Sequence, residues 1–400
     1  MGVSTDNKLR TSTLSSIPVN AVEIAQADLN IKNRSRTNLF SWNGQFSPQF
    51  VEALLEQYSD GESVVLDPFA GSGTTVYESA RKGIAAYGVE LNPSAYYMAK
   101  LYELCQSDKN KREQIVSTVG KEVDACLFCN DSISILASRF QMEPHSEIGT
   151  TLALLIVLLD VFNNDVTPQL LFEKWNRLKD IICHLPMTER KVKVNLGDAR
   201  HLPFGDDSAS IVLTSPPYIN VFNYHQNYRR SVEALGFDVL EIAKREFGSN
   251  RKHRGNRLYT VVQYCIDMAL ALQELTRVCV DGARMMLVVG RESRVLGYSF
   301  FNSELIFKIC EDALGLPFIL RQERVFKNKF GRMIYEDIIH FENRKNGCMV
   351  SQSALSDAAR EIAKNALEEK LDFDKSSKNR GFLIAAIDGI QNIQQSEAGP

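Results

Sequence analysis

Residues 64–75 read VVLDPFAGSGTT. Three apolar residues running into an acid are the pattern of a short strand buried on both faces, and the strand is predicted over ESVVLD, 62–67. It passes directly into a turn carrying Gly71 and Gly73, then into a helix predicted from about Thr74 to Arg81. Small residues at such a turn let a ligand approach the backbone and expose N–H groups at a helix start. IAAYGVE (84–90) gives a second strand, and Pro93 opens a second helix. A β-α-β-α opening of this kind predicts a parallel sheet covered by helices. The turn is not a dinucleotide fingerprint, because Val76 stands where GxGxxG needs its third glycine. It is not a phosphate-binding P-loop either, because Val76 and Tyr77 replace the required Gly-Lys.

Further along, Glu90 closes the second strand, about 20 residues beyond the first, where a carboxylate can accept from both hydroxyls of a ribose. KVKVNL (191–196) is a third strand, followed by GDARHLPF (197–204), in which Asp198 can accept from the exocyclic amine of an adenine ring. Taken singly, an Asp-Pro after a strand is ordinarily a turn and a lone Glu is ordinarily solvated. Three acids at successive strand ends, in this order, point to a nucleoside-bearing ligand.

The rest of the chain limits the alternatives. It has 400 residues, 44% hydrophobic and 24% charged, and a formal net charge of −3, so it is globular and does not coat nucleic acid indiscriminately. No apolar run reaches the roughly 18–20 residues of a membrane span; the longest, Leu152–Leu159, is closed by Asp160. The first residues lack a secretory signal, and eight cysteines in this length are no disulfide framework, so a cytoplasmic, reducing location is expected. Cys126-Leu-Phe-Cys129 has no second pair, and no metal site is expected.

SASIVLTS (208–215) is a fourth strand and ends in TSPPY (214–218). Two prolines cannot continue a ladder; they stiffen a loop that can aim the Ser215 hydroxyl and backbone carbonyls at a ligand, with Tyr218 beside them. A helix is expected over Val261–Cys279, a buried strand over ARMMLVVG (283–290), a helix over Ser303–Leu314, and two closing strands at FILRQERV and IYEDIIHF.

DPFAGSGTT followed by TSPPY resembles the S-adenosylmethionine-dependent DNA amino-methyltransferases, which modify cytosine N4 or adenine N6. The resemblance covers about 38–100 and 190–342. It implies a class I methyltransferase: an α/β, Rossmann-like, mostly parallel seven-stranded sheet with helices on both faces. It also implies S-adenosylmethionine as cofactor, bound by Asp67, Pro68, Phe69, Ala70, Gly71, Gly73 and Thr74, with the turn Asp67–Gly73 at its amino-acid end and Phe69 beside the adenosine. Glu90 would bind the ribose, Asp198 the adenine amine with Ala199 nearby, and the stretch around Phe40 to Phe46 would help close over the methionine moiety. Ser215, Pro216, Pro217 and Tyr218 would form the catalytic loop. Within the family, Ser before Pro-Pro-Tyr goes mostly with cytosine N4, and Asp or Asn with adenine N6. Cytosine C5 chemistry would need a Pro-Cys pair, which the chain lacks. The cofactor motif precedes the catalytic one, whereas many enzymes with this loop have the reverse order. The expected activity is site-specific cytosine-N4 methylation in a restriction-modification system. Adenine-N6 methylation, RNA amine methylation and a non-catalytic DNA-binding regulator are the alternatives.

The catalytic domain is expected to be split in two by a helical insertion (101–189). Its cofactor-binding stretch is 38–100, and the stretch with the catalytic loop and the DNA-contacting region is 190–345. An irregular segment (1–37) precedes it, and a C-terminal helix with a polar tail (346–400) follows. The insertion, with 8 basic and 13 acidic residues, is assigned to self-association or to a lid. Double-stranded DNA is the expected partner, with a cognate restriction endonuclease; monomer and homodimer are both open. Residues 219–262 carry 8 Lys/Arg against 4 Asp/Glu, centred on RKHRGNR (251–257), so Arg251, Lys252, Arg254 and Arg257 are the expected phosphate contacts. A second run, RQERVFKNKFGR (321–332), has the same basic and aromatic character.

Overall fold

In a computed structural model, the residues described are 13–32, 35–127, 129, 131–161, 164–219, 223–248, 253, 255–327, 331–345, 350–373 and 378–397. The strands β1 (Val64–Asp67), β2 (Ala85–Glu90), β3 (Val192–Leu196), β4 (Ala209–Thr214), β5 (Cys279–Gly290), β8 (Phe318–Lys327) and β9 (Met333–Glu342) form a seven-stranded sheet in the order β3-β2-β1-β4-β5-β9-β8. Neighbours from β3 to β5 are parallel, while β9 runs antiparallel to both β5 and β8. The chain winds outward through β1, β2 and β3, then returns to β4 on the other side of β1. A doubly wound sheet binds its ligand at such a switch point, at the carboxyl ends of the strands.

Alternation along each strand feeds two cores. Leu66, Val212, Leu287 and Val289 face one way. They pack under α11 (Tyr259–Val278), α12 (Asn302–Lys308), α13 (Gln352–Phe373) and α14 (Arg380–Asp388). Val65, Ile211, Leu213, Met286 and Val288 face the other way and are covered by Phe50, Leu54 and Leu55 of α2 (Pro48–Tyr58). α11 is buried around nearly its whole circumference because the sheet lies on one side and α13 on the other.

A third core joins α3 (Thr74–Arg81) and α4 (Pro93–Lys100) to the insertion, made of α5 (Lys109–Cys126), α6 (Ser132–Met142), α7 (Glu147–Leu159) and α8 (Pro168–His184). Asp108, Asp131, Ser146 and Thr167 each cap one of these helices by accepting a first-turn N–H. α7 is the bundle's buried centre, and Val76, Ala86, Val192 and Val194 of the sheet and α3 belong to the same cluster. The insertion is thus docked on the β3 side of the sheet. Among the described residues, no helix is long and apolar enough to cross a membrane.

Several expectations need correction. The N-terminal segment is not wholly irregular: it carries α1 (Gln26–Leu29), Val19 bridges to Arg321, and Gln26 donates to the Glu323 carbonyl. This segment lies along β8, an edge strand with backbone groups to satisfy. β5 begins four residues before the expected strand. An unexpected hairpin of β6 (Glu292–Val295) and β7 (Tyr298–Phe301) follows it. The polar tail is not free: Ile393 and Ser396 are buried. In the second basic run, Arg321 and Arg324 are buried and paired with Asp337 and Glu336, so they serve the sheet and not a phosphate backbone. Lys329 and Phe330 lie outside the described residues.

Candidate active site

β1 delivers Asp67 to the switch point, where it is 2% exposed. Its carboxylate accepts from the Thr214 hydroxyl at 2.6 Å and from the Phe69 N–H at 3.1 Å. Burial nevertheless pushes its pKa up to about 6. β2 delivers Glu90, whose two oxygens accept from the Gly71 N–H at 2.7 Å and the Asn92 N–H at 2.8 Å. Burial, with Asp67 and Glu246 nearby, pushes Glu90 up to about 7. The turn between these acids is tight. Gly73 has φ +82°, and a Cβ there would lie 2.8 Å from the Ala99 Cα. Only glycine satisfies both the backbone and the close helix approach.

The opposite end of the pocket begins at β3. Asp198 is buried and gripped by Arg200: Oδ1 accepts from the Arg200 N–H and Nε, and Oδ2 from Nη2. The Arg200 guanidinium lies 5.0 Å from the centre of the Phe247 ring, and Phe247 meets Phe69 edge-on at 5.4 Å. The mouth is walled by Trp42, stacked on Tyr224 at 6.0 Å and Tyr228 at 6.5 Å. Tyr228 and Leu235 flank the short helix α9 (Arg229–Ala234). Together with Tyr224 they pack on the insertion's core, so the insertion buttresses this wall.

β4 delivers the TSPPY loop. Ser215 and Pro217 line the pocket, whereas Pro216 is buried behind them. The Tyr218 ring lies flat enough on Gly290, at the end of β5, that a Cβ at 290 would come within 2.5 Å of it. The Tyr218 hydroxyl is 3.4 Å from both the Ser215 hydroxyl and Glu336. Burial pushes the Glu336 carboxyl up, against the opposing pull of Arg324 at 3.1 Å. Asn302, fully buried, accepts from the Ile219 N–H and donates to the Gly290 carbonyl, joining the loop to β5.

Of the expected cofactor residues, Phe46, Asp67, Pro68, Phe69, Ala70, Gly71, Thr74, Glu90, Asp198 and Ala199 line one pocket together with Ser215 and Pro217. Gly73 sits behind its wall, at the start of α3. Tyr218 adjoins the pocket without lining it. Arg251, Lys252 and Arg254 lie outside the described residues, and Arg257 is half-buried just before α11. Sequence reasoning did not single out Trp42, Gln45, Tyr224, Glu246 and Phe247 as lining residues. Trp42 and Gln45 fall within the segment expected to close over the ligand, which was a usable signal. Glu246 and Phe247 follow α10 (Val239–Arg245) and had none.

Strand order, the antiparallel closing pair and a pocket at the switch point define the class I methyltransferase fold, whose crevice takes S-adenosylmethionine. The residues present fit that group. Glu90 is a half-buried carboxylate on the cleft, Phe69 and Phe247 give the cleft an aromatic lining, and the Gly71 turn admits a ligand close to the backbone. The model of a family described as DNA methylase matches residues 23–101. Over 91 residues the chain is 28% identical to the Type II methyltransferase M.MjaII of Methanocaldococcus jannaschii, covering 20% of this chain and 17% of that protein. The chain therefore spans less than a fifth of that relative's length.

Two solved structures are similar at lower identity. A SAM-dependent methyltransferase of Methanosarcina mazei has a TM-score of 0.34 at 12% identity, over 73% of this chain and 97% of that one. TrmN of Thermus thermophilus has a TM-score of 0.33 at 15% identity, over 75% and 50%. The fold assignment rests on the strand order and not on these two.

Proposed function

We propose that this protein is a site-specific DNA methyltransferase acting on the exocyclic N4 amine of cytosine, protecting sites from a cognate restriction endonuclease. The observation that carries the proposal is that Ser215 and Pro217 of the TSPPY loop share one pocket with Asp67, Glu90 and Asp198. That arrangement would bring a reacting amine and a cofactor to one cleft, which supports the reading of transfer between them. S-adenosylmethionine, when bound, supplies an electrophilic methyl group. Glu90 would accept the ribose hydroxyls, and Asp198 the adenine amine.

The cytosine amine is a weak nucleophile because its lone pair is delocalised into the ring. The Ser215 hydroxyl and the Pro216 carbonyl would accept its two N–H groups, favouring a tetrahedral nitrogen with its lone pair free for attack. Tyr218, braced on Gly290, would stack on the extruded base, and extrusion costs a few kcal/mol. Arg251, Lys252, Arg254 and Arg257 would contact the phosphates. Ser at position 215, instead of Asp or Asn, favours cytosine over adenine.

The test is transfer of a tritiated methyl group to duplex DNA, followed by nucleoside analysis. N4-methylcytosine is the expected product. N6-methyladenine alone replaces cytosine by adenine within the same chemistry, and transfer to tRNA but not DNA overturns the DNA reading.

A further inference from the structure

Arg200 has five N–H donors, and all five are spent inside the protein. Nε donates to Asp198 Oδ1 at 2.9 Å. Nη2 donates to Asp198 Oδ2 at 2.5 Å and to the Glu397 carbonyl at 2.8 Å. Nη1 donates to Asp267 Oδ1 at 2.8 Å and to the Ser396 carbonyl at 2.9 Å, with the Ser396 hydroxyl at 2.6 Å. The acceptors thus come from the β3 turn, from α11 and from a segment some 200 residues further along the chain.

That segment is itself pinned. The Ser396 N–H donates to Asp267 Oδ1 at 2.9 Å, and its hydroxyl donates to the Arg245 carbonyl. Arg245 is followed directly by Glu246 and Phe247, both on the pocket wall. Upstream, Arg360 of α13 holds the Ile393 carbonyl. Ser396 is 1% exposed and Arg200 is 4% exposed. A buried guanidinium with a missing partner would reorient or draw in water, because an unmet charged donor is costly.

The consequence falls on Asp198. Its Oδ1 already accepts two hydrogen bonds from Arg200 and its Oδ2 one, which leaves a single lone pair, on Oδ2, for a ligand. The direction of that lone pair is set by the fork of Arg200, and the fork is set by Asp267 together with Ser396 and Glu397.

We propose that Ser396–Glu397 is a positioning element of the cofactor pocket, completing the donor set of Arg200 so that Asp198 presents one fixed acceptor to the adenine amine. The proposal rests on the cofactor reading of the pocket. It makes this segment a determinant of purine specificity, although it does not itself line the cleft.

The experiment uses the full chain and calorimetry with two ligands: S-adenosylhomocysteine, which carries a 6-amino group, and S-inosylhomocysteine, which carries a carbonyl there. Wild type is expected to prefer the amine. Ser396→Pro, which removes the N–H and the hydroxyl, should lower affinity for S-adenosylhomocysteine about tenfold and shrink its preference over the inosyl ligand by a similar factor. Arg200→Lys, which cannot form the fork, should do the same, and Ser396→Thr should restore wild-type values. Equal weakening of both ligands would mean a general structural role and overturns the proposal. So does unchanged affinity in both Ser396→Pro and Arg200→Lys while wild type binds. Wild type binding neither ligand overturns the cofactor reading and the positioning role together.

Discussion

The two ends of the pocket are built in contrasting ways. The end at Asp67, Gly71 and Glu90 is built mainly on one continuous β-α-β unit, and most of its contacts are short in sequence, Gly71 to Glu90 and Phe69 to Asp67, with the Thr214 hydroxyl reaching Asp67 from β4. The end at Asp198 is assembled from the β3 turn, the segment after α10, α11 and the 396–397 segment. A local site is written into a motif, because neighbouring residues must carry both the turn and the ligand contacts. An assembled site is written only into the tertiary structure.

Four substitutions or conditions sharpen or break that contrast. Tyr218→Ala should lower methyl transfer by about a thousandfold while leaving S-adenosylhomocysteine affinity within about threefold, since Tyr218 belongs to neither end. Paired kinetics and calorimetry check this, and a large loss of affinity would mean that the catalytic loop and cofactor pocket are one unit. Gly73→Val should destabilise by about 3 kcal/mol, because it combines positive-φ strain with overlap on Ala99, and denaturant melts measure it. Glu90→Gln should weaken cofactor binding about tenfold at pH 8. If Glu90 binds the ribose as proposed, the wild-type affinity should rise as pH passes about 7, where Glu90 ionises, and the Gln variant should be flat across the same range.

The smallest effect is on the ligand-free protein. Asp67 and Glu90 hold protons in the folded state up to about pH 6 and 7, above their ordinary values of 3.8 and 4.5. The unfolded chain releases those protons earlier. This contribution to stability is therefore full below about pH 4 and is lost as pH rises through 6 to 7. Thermal midpoints from pH 5 to 8 should fall in wild type and fall less in Glu90→Gln.

The same contrast explains what could be read from sequence. β1 through α4 were legible because a buried strand, a glycine turn and Pro93 are local signals. Lining residues such as Phe247 were not, because Phe247 reaches the pocket only once α10 is docked. The β6–β7 hairpin escaped because its turn places Leu296 at φ 51° before Gly297, where Asn or Asp would have announced it. Arg321 and Arg324 misled because a run of charge does not disclose the Asp337 and Glu336 facing it across the β8–β9 ladder. Ser396 looked like tail, since a single buried serine has no sequence signature.

The shared core of the insertion carries a practical consequence. Excising residues 101–189 to obtain a minimal domain would strip the cover from Val76, Ala86, Val192 and Val194 in one stroke and unseat the aromatic wall at Trp42. The trimmed protein would present a sticky apolar flank and self-associate. Any smaller version of this protein has to replace that bundle with another apolar surface, not with a short linker.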